Sequence, residues 1–373
     1  MEKVKFKDIF SFEKKSRIKA GDGFKLGEGK YPFYTSSDTL SKTLNDFLFE
    51  KESLIFGTGG LASIHHCNDK FAVSTDCFVT QPKDLKSVYT KYVYFYLSGN
   101  MHLLENGFKG AGLKHISKGY IEDLEIPLPS LKIQQKIAAF LDKADELRQY
   151  NKQLIEKYDA LTQSLFLDMF GDPVRNEKKF ELITIRDLCD EVKYGTSEKA
   201  SEIGKYQYLR MNNISFKGYM DFKDLKYVNV SEKELPKYIV KKGDILFNRT
   251  NSKELVGKTG IITNDDIYVI AGYLIRIRTN ELANPYYIWA HLNSKWSKLT
   301  LNNMCKNIVG MANINAQELQ DILILKAPIN LQNQFAERVK IIEAQKQQAL
   351  ETLAKSEALF QGLLQQAFNG KLN

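Results

Sequence analysis

The chain has 373 residues, 43% of them hydrophobic, and a formal net charge of +8. That length supports two or three packed cores at ~100–200 residues each. No apolar run reaches the ~18 residues of a membrane span, and MEKVKFKDIF alternates apolar and charged residues like a first strand, so a cytoplasmic protein without a membrane partner is expected.

Residues 1–128 form a strand-rich block of short apolar runs broken by Gly, Asn and Asp. GTGGLA, residues 57–62, has dinucleotide-like spacing, but SIHHCNDKFAVSTDCFV follows it. That stretch reads as strands rather than the helix a pyrophosphate needs, so a turn between strands is expected. His65-His66-Cys67 places neighbouring side chains on opposite faces of a strand, so no metal site is expected. The cysteines, Cys67, Cys77, Cys189 and Cys305, have no CxxC spacing and read as free thiols.

A long amphipathic helix is predicted over 129–171, opening after Pro129 and stopping at Gly171-Asp172-Pro173. Its predicted seam is Ile137, Phe140, Ala144, Leu147, Asn151, Leu154, Tyr158, Leu161 and Leu165, with alternating coiled-coil spacing.

A second block, 172–327, echoes the first: Gly112-Leu113-Lys114-His115-Ile116-Ser117 resembles Gly310-Met311-Ala312-Asn313-Ile314-Asn315. Gly257-Lys258-Thr259 lacks the earlier glycine of a phosphate loop, because position 253 is Lys253. Asn284-Pro285-Tyr286-Tyr287 is like a motif of adenine-N6 methyltransferases. Without alternating βαβ units it reads as a helix cap followed by Pro at the first helical position. No catalytic constellation emerges.

A second long helix is predicted over 328–373, with Phe335, Val339, Ile342, Lys346, Ala349, Leu353, Ser356, Phe360, Leu363 and Ala367 on its seam. Gln134-Gln135-Lys136-Ile137-Ala138 lies over Gln332-Asn333-Gln334-Phe335-Ala336 at an offset of 198, and the register continues to Phe170 over Phe368. Such register indicates a duplicated helix. The expected fold class is α+β: two strand-rich blocks separated by two long antiparallel coiled-coil helices with a pseudo-two-fold relation. Asn151, Lys346 and Ser356 would fix the register.

Seven of the eight excess positive charges fall in the two strand-rich blocks, which suits a polyanion partner. Candidate double-stranded DNA contacts in block two are Arg210, Asn212, Asn213, Asn248, Arg249, Asn251 and Asn313. Arg pairs bidentately with guanine and Asn with adenine. Lys258 and Lys306, with Lys253, are candidate phosphate contacts. Block one offers Ser36, Ser37, Thr58, Lys109, Lys114 and His115 in matching places.

The helix openings IPLPSLKIQQKIAAFLDKAD (126–145) and APINLQNQFAERVKIIE (327–343), with YLRMNNI and GDILFNRTNS, resemble the specificity (S) subunits of Type I restriction-modification systems. The resemblance covers essentially the whole chain. It implies two target recognition domains, 1–128 and 172–327, each reading one half of a split asymmetric DNA site, and spacer helices at 129–171 and 328–373. It also implies two modification (M) and two restriction (R) subunits as partners, and no catalysis or cofactor in this chain. S-adenosylmethionine would be bound by M, and ATP with Mg2+ by R. Block one departs from the pattern: no Arg follows Tyr34, and GTGG stands where block two has NRTN. Alternatives are the specificity subunit of a related system cutting on both sides of its site, a stand-alone adenine-N6 DNA methyltransferase, or an interaction scaffold.

Overall fold

A computed structural model describes residues 2–252, 255–304 and 312–368. The elements used below are helices α1 (Thr90–Gly99), α2 (Leu131–Phe170), α3 (Pro285–Asn293) and α4 (Ile329–Phe368), and strands β1 (Tyr31–Tyr34), β2 (Ser53–Gly57), β3 (Tyr206–Leu209) and β4 (Ile245–Asn248). Both α2 and α4 have 40 residues, about 60 Å at 1.5 Å per residue. The compact units do not follow the four blocks of the sequence. One unit is 1–152 with 351–373; the other is 153–350. Each long helix is thus shared between units.

In the first unit, strand Lys3–Lys5 pairs antiparallel with Glu125–Pro127, so Val4 faces Ile126 just before α2 begins. A four-stranded antiparallel sheet orders Phe10–Phe12, Cys77–Pro82, β2 and Ile64–Cys67. Every residue of β2 is buried, as expected for a central strand covered on both faces. A second sheet places β1 between Lys42–Leu44 and a parallel partner, Ala72–Val73. Residues 351–368 return antiparallel along 131–152: Arg148 lies 4.2 Å over the Phe360 ring, and Lys152 pairs with Glu357 at 3.4 Å. Phe360, Leu364 and Ala367 enter the same core as Phe6, Tyr92 and Leu141.

The second unit repeats this plan. Leu182–Thr184 pairs with Leu323–Leu325. Cys189–Tyr194, Leu274–Thr279, β4 and Thr259–Ile261 form the larger sheet, and β3 runs parallel to Tyr268–Ile270 in the other. Phe166 and Phe170 pack on Phe335 with ring centroids 5.8 and 5.3 Å apart.

The duplicated glutamines explain the repeated helix opening. Gln134 accepts from Tyr89 N at 2.9 Å and donates to Ser87 O and Pro129 O at 2.9 and 2.8 Å. Gln332 accepts from Asn284 N at 2.9 Å and donates to Leu282 O and Ala327 O at 3.1 and 2.7 Å. Both are buried. Each clamps the start of its unit's short helix, α1 or α3, to its own long helix. The expected cap is present too: Asn284 accepts from Tyr286 N at 3.0 Å ahead of Pro285.

The predicted seam holds better on α4 than on α2. Val339, Ile342, Lys346, Ser356 and Phe360 are buried, and Leu353 and Leu363 are half-buried. On α2, Ile137, Ala144 and Asn151 are buried and Leu154, Tyr158 and Leu165 half-buried. Phe140, Leu147 and Leu161, however, are 48%, 43% and 47% exposed. The core instead takes Leu141 and Thr162, with Arg148 and Ile155 partly covered. Both choices share the seven-residue series from Ile137 to Leu165. They differ by one residue in the alternate series, about 100° of helix rotation. Apolarity pointed to the leucines, whereas the polar partners on α4 receive the other face.

Candidate nucleic-acid interface

In each unit the same three segments converge: the residues after β1 or β3, the end of β2 or β4, and a short strand ahead of the capped helix that precedes the long one. The link is a main-chain bond in both. Ile116 N donates to Thr58 O at 3.2 Å, and Ile314 N to Arg249 O at 3.0 Å. The caps match as well: Ser117 accepts from Tyr120 N, and Asn315 from Glu318 N.

In the first unit, Ser36 Oγ and Thr58 Oγ1 both donate to Asp76 O, at 2.7 and 3.0 Å. His115 Nδ1 lies 3.0 Å from Thr58 O, with His115 and Gly59 bridged antiparallel. A Cβ on Gly59 would sit 3.0 Å from the His115 ring, and Gly60 has φ +82°, which accounts for the paired glycines. The following chain forms Ile64–Cys67, antiparallel to β2, so GTGG is the turn of a hairpin. Lys109 lies opposite His115 in a two-residue ladder. Ser37, Lys109, Lys114 and His115 are exposed. Thr58 was expected at the surface but is buried, its hydroxyl committed to Asp76 O. The two adjacent histidines have separate partners, His65 with Ser37 O at 2.8 Å and His66 with Glu52 at 2.7 Å.

In the second unit, Arg210 begins the first segment and pairs with Asp224 at 3.1 Å. Arg249 ends the second, its guanidinium 4.9 Å over the Tyr194 ring. Thr250–Asn251 pairs with Ala312–Asn313, and Thr250 Oγ1 donates to Asn313 Oδ1 at 3.3 Å. Asn251 Nδ2 reaches Met211 Sδ at 3.5 Å, and Asn212 is exposed. Three expected contacts are instead internal braces. Asn213 is buried, accepting from Arg210 N and donating to Asp221 O and Asp224 O. Asn248 is fully buried and donates to Leu255 O at 3.3 Å. Lys258 is buried and donates to Met211 O and Ile214 O at 2.7 and 2.5 Å, burial holding its ammonium below the usual range. Loops this rich in buried carbonyls need donors, and these side chains supply them. Lys253 and Lys306 lie outside the described residues.

Two participants carried no sequence signal. Tyr194 provides the platform under Arg249. Lys298 donates to Gly257 O at 2.6 Å, and burial, then the nearby Lys258, pushes its ammonium down to about 8.

The arrangement defines a class: a protein with two strand-rich heads, each presenting a braced three-segment polar surface and each seated on parts of two long helices. Residues 1–158 match the family model of the Type I restriction modification DNA specificity domain. Among curated relatives, the EcoKI specificity subunit of Escherichia coli K12 is 23% identical over 335 residues, covering 84% of this chain and 72% of that one. The MjaVIII specificity subunit of Methanocaldococcus jannaschii is 23% identical over 351 residues, covering 85% and 80%. The crystal structure of a Type I restriction-modification S subunit from M. genitalium shares the fold, with TM-score 0.64 at 17% identity over 98% of this chain and 95% of that one. A chain of another type I R-M system has TM-score 0.54 at 15% identity, covering 99% and 98%. The match to that family model thus covers the first 158 residues, and the fold of the solved S subunits is shared over the length of the chain.

Proposed function

We propose that this chain is the non-catalytic subunit that selects the DNA site of a Type I restriction-modification enzyme. Each three-segment surface reads one half of a split site. The observation that carries this reading is one backbone platform built twice with unlike side chains: Ser37, Lys114 and His115 in the first unit, Arg210, Asn212, Arg249 and Asn251 in the second. Equivalent backbones position the two heads similarly on the phosphates, and different donors select different bases. An asymmetric bipartite site follows.

In this reading the chain binds double-stranded DNA, two M subunits and two R subunits. S-adenosylmethionine is held by M, and ATP with Mg2+ by R. The exposed Phe140, Leu147 and Leu161, seven and then fourteen residues apart on one helix, support α2 as a docking face for the M subunits. The test is genome-wide N6-methyladenine mapping in strains with and without the gene. Loss of methylation at one split asymmetric motif is expected. Unchanged methylation, with M expressed, would overturn the reading.

A further inference from the structure

The two units differ at one equivalent place. In the second, residues 210–225 link β3 to Lys226–Val228, and the middle of this connection fills a cleft between α3 and the long helices. Gly218 O accepts from Trp289 Nε1 at 2.9 Å. Gly218 has φ +86°, and a Cβ there would come 2.5 Å from Asn293 Nδ2, so only glycine fits. Tyr219 then turns its ring under Lys346, whose Nζ lies 3.2 Å from the ring centroid. Burial, then the Glu343 and Asp159 carboxylates beside it, hold the Tyr219 hydroxyl above its ordinary range. Lys217 pairs with Asp159 at 2.6 Å.

In the first unit the corresponding connection, 35–41, is short, and its Ser36 and Ser37 are engaged with Asp76 and His65 at that unit's own polar surface. The equivalent place is an open cleft of about 130 Å³, lined by Tyr94, Ser98, Asp145, Arg148, Phe360 and Gln361 among others. That is close to the ~150 Å³ that accommodates a benzene ring. The helix offset of 198 sets Arg148 where the second unit has Lys346, Asp145 where it has Glu343, and Glu357 where it has Asp159. Tyr94 and Trp289 stand equally far into α1 and α3. Glu357 pairs with Lys152, so the first unit keeps the cation, one carboxylate, Asp145, and an aromatic side chain of the filled cleft, and lacks the filler. Phe360 covers one face of the Arg148 guanidinium and Asp145 binds its edge, while Arg148 also lines the open cleft.

We propose that this cleft receives an extended segment of a partner protein bearing an aromatic residue next to a glycine, its ring stacking on Arg148 and its main chain accepting from Tyr94. The inference rests on the reading of the chain as one subunit of an assembly. It makes the two units unequal towards partners, since one is already filled by the chain itself.

The probe is a labelled peptide of the chain's own filler, residues 214–222, titrated against the full-length protein by fluorescence anisotropy. Saturable binding with one peptide per chain is expected. Tyr219→Ala in the peptide, or Arg148→Ala in the protein, should weaken it at least tenfold. Ser98→Tyr, which fills the cleft from within, should abolish binding while leaving the melting temperature unchanged or higher. No binding at millimolar peptide, or binding indifferent to both Arg148→Ala and Ser98→Tyr, overturns the proposal. Methylation mapping separates the two readings. An intact motif with no peptide binding removes the cleft alone, whereas peptide binding without directed methylation removes the DNA role and leaves the cleft standing.

Discussion

Asp159 holds two ammonium groups, Lys346 and Lys217, each at 2.6 Å. Burial works against its charge, but the two lysines outweigh it and keep the carboxyl below the usual range. A carboxyl lowered in the folded state stabilises above its ordinary titration, near ~4, and loses that contribution on acidification. Glu343 behaves oppositely: burial raises it, so it opposes folding as pH rises through its ordinary range. Asp159→Asn strands the buried Lys346 and should cost the second unit about 3 kcal/mol. Glu343→Gln should be stabilising at pH 7. Thermal melts at pH 4 and 7 check both, and a smaller Asp159→Asn effect at pH 7 than at pH 4 would refute the assignment. At the platform, Arg249→Ala should relax one half-site by ~1–3 kcal/mol and leave the other intact, read as the methylated motif. Asn248→Ala should instead lower stability by about 1–3 kcal/mol, because it removes a buried hydrogen bond. Composition pointed to these loops but not to the separate roles of their side chains. Asn, Lys and Thr serve equally as base contacts and as donors to buried carbonyls, and burial alone decides between them.

At the scale of elements, the glutamine clamps were legible as a repeated motif, and their purpose became clear only with their partners. Gln134→Ala leaves Tyr89 N and two carbonyls without their partner; Gln332→Ala does the same at Asn284. Each should destabilise its own unit by about 1–3 kcal/mol, and hydrogen exchange should localise the loss to α1 or α3 respectively. Loss in both units from either change would contradict the clamp assignment. The seam of α2 was half legible. A heptad repeat fixes one position per seven residues, and the second position was decided by side chains on α4, such as Phe360 under Arg148 and Lys346 beside Asp159, which lie far away in sequence. The filled cleft at Tyr219 was not legible at all, because FKGYM has no periodicity and draws its meaning from Trp289 and Lys346.

At the scale of the whole molecule, the duplication of the long helices was readable from the offset of 198, and that of the strand-rich blocks only as weaker echoes at other offsets. The division into units was not, since each contains parts of both long helices. DNA binding by the assembled enzyme should weaken steeply with salt, with log K falling by ~0.9 per phosphate neutralised. A flat response would count against a phosphate-positioned interface. Removing residues 351–373 takes Phe360, Leu364 and Ala367 out of the first core. The first unit's melting transition should fall or vanish while the second persists; an unchanged first transition would show that the return of α4 is dispensable.

That return also sets an order in time. The second unit is one continuous stretch, whereas the first closes only on residues from the far end of the chain. At ~5–20 residues per second on the ribosome, the unit that emerges first waits tens of seconds for its last helix. The unit made second has all its parts earlier. During that interval the apolar faces of Tyr92, Phe95 and Ala144 lack their cover, so nascent chains should depend on chaperones most in the half synthesised first.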